Sequence, residues 1–518
     1  MAAFKDVTFY LLLFIGICTI GPLQFGFHLA ELNAPQDVLM CRKKAITTRR
    51  RWHRLFPNRT DSDKPIVPEP GFLSLPSCIP MNDAAFAAIS SVFTLGGLAG
   101  ALYAGPFSSR KGRLLAMRAT ACFFILGSLV ETVAGAVWVM GVGRFFTGIG
   151  AGAATVIVPL YISEISPKNK RGFFGFFTQI SVNVGILGVQ VLGYFLSHDQ
   201  AWRWILGSGV IVGAAQFLGL SVVPESPAWM AAHGDPVESR RIFKRIRGKN
   251  ATGLGEEVGR IGDESRTASE EEALLADAAS SVGSPLTTVT SAQAHKNVLP
   301  HLGFMQVAKD PFYRPAIVAV VGIMFTQQFC GINSVIMYSV SLLTGLLPIS
   351  SALLTILISV VNLFITIACA PLPDRLGRKT CLLISACGQG TSAFVLALSI
   401  VLGQKIISAF AVLFFVGFFA VGLGPVPFML ASELVGQEAV GATQSWCLAA
   451  NYTATFIVAQ FFPIINVALN EILGGAGWVY FLFTAFAAAG AIFIFVCVPE
   501  TRGKKDADEV WGRVRRLD

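Results

Sequence analysis

Charge is scarce in this chain. Asp, Glu, Lys and Arg make up 14% of its 518 residues, against 53% hydrophobic residues. The mean hydropathy is +0.63. This balance excludes an ordinary soluble domain, whose charged share is about 25%. Catalytic patterns are missing as well. No Cys/His run has metal-ligand spacing, no Cys/His or Ser/His pair reads as nucleophile and base, and no nucleotide-binding loop is present. The expectation is therefore no enzyme, no metal and no other cofactor. The ten cysteines do not form a disulfide framework. Cys18, Cys122, Cys330, Cys369, Cys381, Cys387, Cys447 and Cys497 lie in or beside apolar runs, as packing residues do. Cys41 and Cys78 instead flank the first large polar loop. A cleavable leader is not expected, because the run Val7 to Ala30 is long enough to span and no small-residue cleavage site follows it.

What the chain does have is long apolar runs. They predict an all-α membrane protein with twelve transmembrane helices, near 8–30, 84–104, 114–136, 138–163, 172–196, 203–223, 315–343, 351–371, 380–402, 407–432, 442–466 and 477–498. The expected organisation has six parts. Residues 1–30 are the N-terminus and helix 1, and 31–83 a long outer loop. Residues 84–223 complete a first six-helix lobe, 224–314 form a linker, 315–498 a second six-helix lobe, and 499–518 a tail.

The lobes repeat. Arg110-Lys111-Gly112-Arg113 matches Arg375-Leu376-Gly377-Arg378, Ser163-Glu164 matches Ser432-Glu433, and Pro224-Glu225 matches Pro499-Glu500, at offsets of 265, 269 and 275 residues. The second half thus repeats the first in the same orientation, one of the repeat plans of secondary transporters.

The net charge of +9 reads as topogenic rather than as a nucleic-acid footprint. Arg110, Lys111, Arg113 and Arg118, then Lys168, Lys170 and Arg171, then Arg375, Arg378 and Lys379, fall on one side, as do six bases between Arg240 and Lys249. That side is expected to be cytosolic, with both termini. The outer loop breaks the trend with bases from Arg42 to Lys64, but long loops obey the rule weakly. It also holds the sequon Asn58-Arg59-Thr60, and Cys41 and Cys78 there would face an oxidising compartment where they can pair. In the linker, Pro236 to Lys249 can form short basic amphipathic helices. Residues 251–297, with eight acids against three bases among Ser, Ala, Gly and Thr, read as disordered.

One apolar run, Pro315 to Leu343, contains Gln327-Gln328-Phe329-Cys330-Gly331-Ile332-Asn333. Three amides within seven residues are costly in hydrocarbon unless they face a bundle interior or a watery cavity. A glycine between them invites a helix break, tolerated where backbone lines a cavity. Uncharged donors and acceptors suit a neutral hydroxylated ligand; the alternative is interhelical glue.

Several motifs together resemble the sugar porter family of the major facilitator superfamily, over the whole membrane part. They are Gln327-Gln328-x-x-Gly331-x-Asn333, Leu23-Gln24-Phe25-Gly26-Phe27 with Asn33-Ala34-Pro35-Gln36, Gly143-Arg144-Phe145 with Pro159 to Glu164 and Lys170-Arg171-Gly172, and Gly422-x-Gly424-Pro425-Val426-Pro427. The resemblance implies the two-lobe major facilitator fold and transport of a monosaccharide, expected to be a hexose, by alternating access. It implies a monomer with a sugar or polyol and the lipid bilayer as partners and no nucleic acid, in a plasma or vacuolar membrane. It places sugar on Gln179, Gln327, Gln328, Asn333, Asn362 and Asn451, with Phe25, Phe419 and Phe428 as walls. Three departures weaken the hexose assignment: Phe428, Ala420 and Met337 stand where tryptophan, glutamate and tyrosine are usual, although Tyr338 remains.

Proton-coupled members carry an aspartate opposite the helix-four arginine. Here the pair is His28 and Arg144, so facilitated diffusion is expected, with a proton-coupled symporter as alternative and Glu31 as a candidate acid unless it lies solvated at the outer mouth. A charge network of Arg110, Arg113, Glu164, Arg171, Glu225, Asp374, Arg375, Arg378, Glu433 and Glu500 resembles the family's cytosolic gate. It is thinned by Ser109, Ala228 and Val440, where charges are usual. The competing class is a transport-inactive sugar sensor or trafficking factor on the same fold.

Overall fold

A computed structural model describes residues 8–42, 75–167, 171–233, 236–247, 304–342, 351–436, 439–504 and 507–512. Asn58 and the stretch 251–297 lie outside the described residues, as does the side chain of Arg171.

The first span is α1 (Phe9–Cys18) with α2 (Ile20–Ala30), followed by the short α3 (Gln36–Leu39). Then come α4 (Asp83–Lys111), α5 (Arg113–Thr132), α6 (Val137–Ile165), α7 (Arg171–Leu196) and α8 (Trp202–Gly219). Two short helices, α9 (Pro227–Ala232) and α10 (Pro236–Arg247), and α11 (Phe304–Lys309) precede the second lobe. That lobe opens with α12 (Arg314–Phe329) and α13 (Ile332–Leu342), then α14 (Ser351–Cys369), α15 (Leu372–Leu376) and α16 (Arg378–Val401). It closes with α17 (Lys405–Val421), α18 (Val426–Glu433), α19 (Val440–Leu473) and α20 (Val479–Cys497), before α21 (Ala507–Val510). Among the described residues, ten spans are long and apolar enough alone, and the bent pair α12–α13 makes an eleventh. The remaining place belongs to α8, which carries Arg203; its guanidinium donates to the carbonyls of Pro76, Thr132 and Ala134.

Helix ends follow local chemistry. Asn82 accepts from the Ala85 amide at 2.8 Å and starts α4. Gly112 and Gly377, at φ +97° and +103°, divide α4 from α5 and α15 from α16. The junctions are copies of each other in atomic detail. The Arg113 amide donates to Glu225 Oε1 at 2.9 Å, and the Arg378 amide to Glu500 Oε1 at 2.8 Å. Arg113 Nη2 meets Glu164 Oε1 at 2.8 Å, and Arg378 Nη2 meets Glu433 Oε1 at 2.9 Å. A carboxylate at each new helix N-terminus satisfies orphan amides and opposes the positive end of the helix dipole.

Small residues let helices approach closely, the usual substitute for hydrophobic association in a bilayer. Gly96 and Gly100 of α4 lie against the α6 carbonyls of Phe145 and Ile149, and Gly148 and Gly152 of α6 return the contact to Phe93 and Gly97. Large apolar side chains such as Phe364, Trp138 and Val496 face outward, as lipid contact requires. Within the first lobe α6 packs on α4 and α5, and α7 on α2; within the second, α16 packs on α17 and α20, and α12 on α19. The lobes meet chiefly along α4 with α19 and α7 with α14.

At one end of the bundle Cys41 and Cys78 are disulfide-bonded. The Ile79 amide donates to the Leu39 carbonyl at 2.8 Å and Trp202 Nε1 to the Ser77 carbonyl at 2.8 Å, so this loop is tied to the ends of α3 and α8.

The break between α12 and α13 is a bend of 41° at Gly331, whose φ is +94°. A Cβ there would come to 2.5 Å from ring carbons of Phe483 on α20. Gly331→Ala is therefore expected to cost about 1–3 kcal/mol through backbone strain alone. A lowered thermal unfolding midpoint in detergent checks it; an unchanged midpoint contradicts the geometry.

Candidate functional site

The break puts three amides on consecutive turns facing α19. Gln327 and Gln328 end α12, and Asn333 begins α13. With Asn451 of α19 they form one hydrogen-bonded chain. Asn451 Nδ2 donates to Gln327 Oε1 at 2.7 Å, Gln328 Nε2 to the same oxygen at 3.1 Å, and Asn333 Nδ2 to Gln328 Oε1 at 2.7 Å. The ends are anchored. Gln327 Nε2 donates to the Leu423 carbonyl at 2.5 Å, and Asn333 Nδ2 also reaches Thr455 Oγ1 at 3.2 Å. Leu423 lies in the non-helical link between α17 and α18, where Pro425, Pro427 and Gly422 prevent a continuous helix. Gln327 is saturated, since its Nε2 also reaches the Gly424 carbonyl at 3.5 Å, whereas Gln328, Asn333 and Asn451 each keep a lone pair or N–H in reserve, because an amide offers two donors and one oxygen with two lone pairs.

A second polar strip joins the lobes. Asn183 Nδ2 of α7 donates to Thr366 Oγ1 of α14 at 2.9 Å, and Thr366 Oγ1 lies 3.4 Å from Asn362 Oδ1. Ser359 Oγ donates to Gln190 Oε1 at 2.5 Å. A crevice with room for about one water molecule is lined by Asn362, Gln190, Ser359 and Ile336 between α7, α13, α14 and α17.

Of the residues expected at the site, Gln327, Gln328, Asn333 and Asn451 are in mutual contact, and Asn362 belongs to the second strip. Gln179 is half-buried on α7, one turn before Asn183. Phe25 and Phe428, from opposite lobes, both pack on the cluster around Tyr452, and Phe25 meets the Tyr452 ring edge-on at 6.4 Å between centroids. Phe419 is half-buried at the end of α17. Ala420 and Met337 are buried, and Tyr338 donates to the Ala459 carbonyl at 2.9 Å. Sequence reasoning passed over Asn183, Gln190, Ser359, Thr366 and Thr455. Their signal was periodic: Gln179, Asn183 and Gln190 fall on one helical face at i, i+4 and i+11.

Charges also find their places. Glu31 is not solvated at a mouth. Its side chain is fully buried, with Oε1 2.5 Å from Arg144 Nη1 and Oε2 2.8 Å from His28 Nδ1. His28 and Arg144 are buried with it, and Arg144 also donates to the His28 carbonyl at 2.7 Å. At the other end of the bundle, Arg113 pairs with Glu164, and Arg378 with Glu433 and Asp374, each within its own lobe. Arg110 and Arg375 are exposed there. Among the described residues, hydrogen bonds between lobes lie toward the disulfide end and the middle. Asn33 Nδ2 donates to the Ile336 carbonyl at 2.9 Å, Ser91 Oγ to Gln460 Oε1 at 2.7 Å, and Phe86 packs edge-on against Tyr338.

Two homologous lobes, a bent span at their interface and buried polar groups facing one another define a transporter of the major facilitator fold. The inward open conformation of the xylose transporter XylE from E. coli superposes with a TM-score of 0.71 at 22% identity, covering 97% of this chain and 99% of that one. The family described as Sugar (and other) transporter matches residues 14–510, and the chain belongs to that family. A probable metabolite transport protein of Saccharomyces cerevisiae is 32% identical over 505 residues, covering 98% of this chain and 96% of its own length. The facilitated glucose transporter member 3 of solute carrier family 2 from Ovis aries is 28% identical over 509 residues, covering 96% and 91%.

Near the disulfide end, the Asn33–Ile336 and Ser91–Gln460 hydrogen bonds hold the lobes together. Replacing both Asn33 and Ser91 by alanine removes two hydrogen bonds worth about 0.5–1.5 kcal/mol each. Opening at that end should then become roughly tenfold more populated. Labelling of Ile186→Cys by an impermeant thiol reagent, with the free cysteines replaced, should accelerate accordingly; an unchanged rate contradicts the assignment of the seal.

Proposed function

We propose that this chain moves a neutral polyhydroxyl cargo, a monosaccharide or close polyol, across its membrane by alternating access. The observation that carries the reading is the amide chain from Asn451 through Gln327 and Gln328 to Asn333. It supplies uncharged donors and acceptors in the region between lobes, and hydroxyls demand both. Gln179 and the Asn183–Thr366 contact would supply the opposing lobe, while Phe25 and Phe428 would offer faces for the C–H surface of a sugar ring. A hexose is the first candidate, since the ovine relative is named for glucose; the XylE structure is named for xylose, a pentose. Phe428, Ala420 and Met337 favour modest affinity.

The basic ends at Arg113 and Arg378 are read as cytosolic, with both termini, by the excess of lysine and arginine in short loops there. The present conformation would then be closed on the outer or lumenal side, whether the membrane is plasma or vacuolar. The carrier is read as a monomer, because each chain holds both lobes. Facilitated diffusion follows if position 28 alone sets the coupling. A proton-linked carrier is the second reading, favoured by the acid beside His28 and Arg144.

Uptake of a radiolabelled panel of hexoses, pentoses and polyols into proteoliposomes tests the proposal. Saturable flux of at least one is expected. Gln328→Leu should weaken that cargo at least about tenfold, the equivalent of about 1.4 kcal/mol, while the protein still elutes as a folded particle. No saturable flux for any compound would favour the sensor or trafficking reading. Preserved uptake in the variant would show that the amides hold helices together rather than cargo.

A further inference from the structure

We propose that the exposed face of α10 is a binding site for an acidic phospholipid of the leaflet at the charged end of the bundle, and that the bound headgroup braces the start of the first span. Helix α10 has two distinct faces. Ser239, Ile242, Phe243 and Ile246 are buried, and Ser239 Oγ donates to the Pro227 carbonyl of α9 at 2.8 Å. Arg240, Arg241, Lys244 and Arg245 are exposed. The buried set falls at i, i+3, i+4 and i+7 and the basic set at i, i+1, i+4 and i+5, so each occupies its own side of the helix. Among the described residues, Arg241 pairs with Glu238 at 3.6 Å, and Arg240, Lys244 and Arg245 pair with no acid. An exposed pair of that kind neutralises little. The bases at the helix junctions differ, because Arg113 and Arg378 are already spent on Glu164 and Glu433.

The depth of this face is fixed by α1. Thr8, the N-cap of α1, donates its hydroxyl to the Ile246 carbonyl near the end of α10. The Arg245 guanidinium lies 5.3 Å from the centroid of the Tyr10 ring. Phe9, Leu12 and Leu13 of α1 face outward, as lipid-facing side chains do. Aromatic rings at the end of a span sit at headgroup level. The basic face therefore lies where hydrocarbon gives way to phosphate.

A glycerophospholipid with net negative charge matches both parts of this surface. Its phosphate and second anionic group meet guanidinium forks, each of which takes two oxygens at once, and Lys244 adds a point charge. Its acyl chains lie along the outward side chains of α1. A zwitterionic lipid offers the same phosphate but carries an ammonium that the four bases repel. A soluble anion uses the bases and leaves the apolar part unused. An acidic protein would have to reach a face held against the bilayer surface.

The site is connected to the spans of the first lobe. Helix α1 runs on through Thr19 into α2, which carries Phe25 and His28. Helix α9, on which α10 packs, is held by Trp229 Nε1 donating to the Ser109 carbonyl of α4 at 2.7 Å. A headgroup on α10 thus ties the membrane surface to the ends of two spans.

Native mass spectrometry of the purified full-length protein tests the site, with phosphatidylserine and phosphatidylcholine of identical chains as probes. Phosphatidylserine should be retained at least about tenfold better, since each base near a charged surface contributes about fivefold. Arg240→Gln, Arg241→Gln, Lys244→Gln and Arg245→Gln together should remove the preference. The same change at Arg110, Lys111, Arg375 and Arg502, four other exposed bases, should leave most of it. Equal retention of the two lipids, equal loss in both variants, or displacement of the lipid by equimolar phosphoserine or inorganic phosphate would overturn the site. In the wild type, phosphatidylserine should also raise the thermal unfolding midpoint above that in phosphatidylcholine, and about 1 M salt should erase the rise. An unaltered midpoint overturns the bracing of α1. The wild-type arms alone decide the site if the α10 variant does not fold.

Discussion

A polar group buried in hydrocarbon must find a partner or open onto water, and this constraint orders the whole molecule. In the second lobe it produces the amide chain, where each member of Gln327, Gln328, Asn333 and Asn451 satisfies another and two ends reach backbone or Thr455. In the first lobe it produces the cluster of Glu31, His28, Arg144 and Thr147 with Glu131. At the charged ends it folds Glu225 and Glu500 back onto the amides that start α5 and α16. A network confined in this way is strong when complete and costly when broken, so it fixes which helices lie together.

The two lobes kept the same frame and divided the chemistry. Arg113 with Glu164 and Glu225 is superimposable in role on Arg378 with Glu433 and Glu500. Between those frames the contents diverged. The second lobe carries neutral amides around a bend, which suits a neutral cargo. The first carries ionisable groups packed against aromatic rings, with Phe25 stacked on Phe93 at 6.3 Å and Phe93 beneath Arg144. The aromatic stack connects the Tyr452 cluster to the Arg144 charge, while the Asn33 side chain donates to the Ile336 carbonyl across the lobes.

Much of this was legible before any coordinates. Apolar runs place the spans, because a bilayer imposes length and hydropathy on each helix separately. The duplicated Gly112 and Gly377 junctions are visible as repeated words. Gln327 to Asn333 stand out, because amides in an apolar run break the local rule. Other residues broke no rule. Glu131 sits near the end of its span, where an acid reads as a boundary, and Glu31 reads equally well as a solvated mouth residue. Asn183, Gln190, Ser359 and Thr366 are singly unremarkable, and only their alignment across α7 and α14 makes a strip.

The sequence by itself determined the class, the twelve-span plan, its duplication and the amide motif, since these depend on composition and on periodicities within one helix. The tertiary structure decided who meets whom. Glu31 and Arg144 are 113 residues apart, and Asn33 and Ile336 are 303 apart. Those pairings follow from close approach at glycines, from a bend at Gly331 and from how the lobes lean together. No local pattern encodes such distances, because a buried polar side chain is satisfied by whichever partner the packing brings within reach.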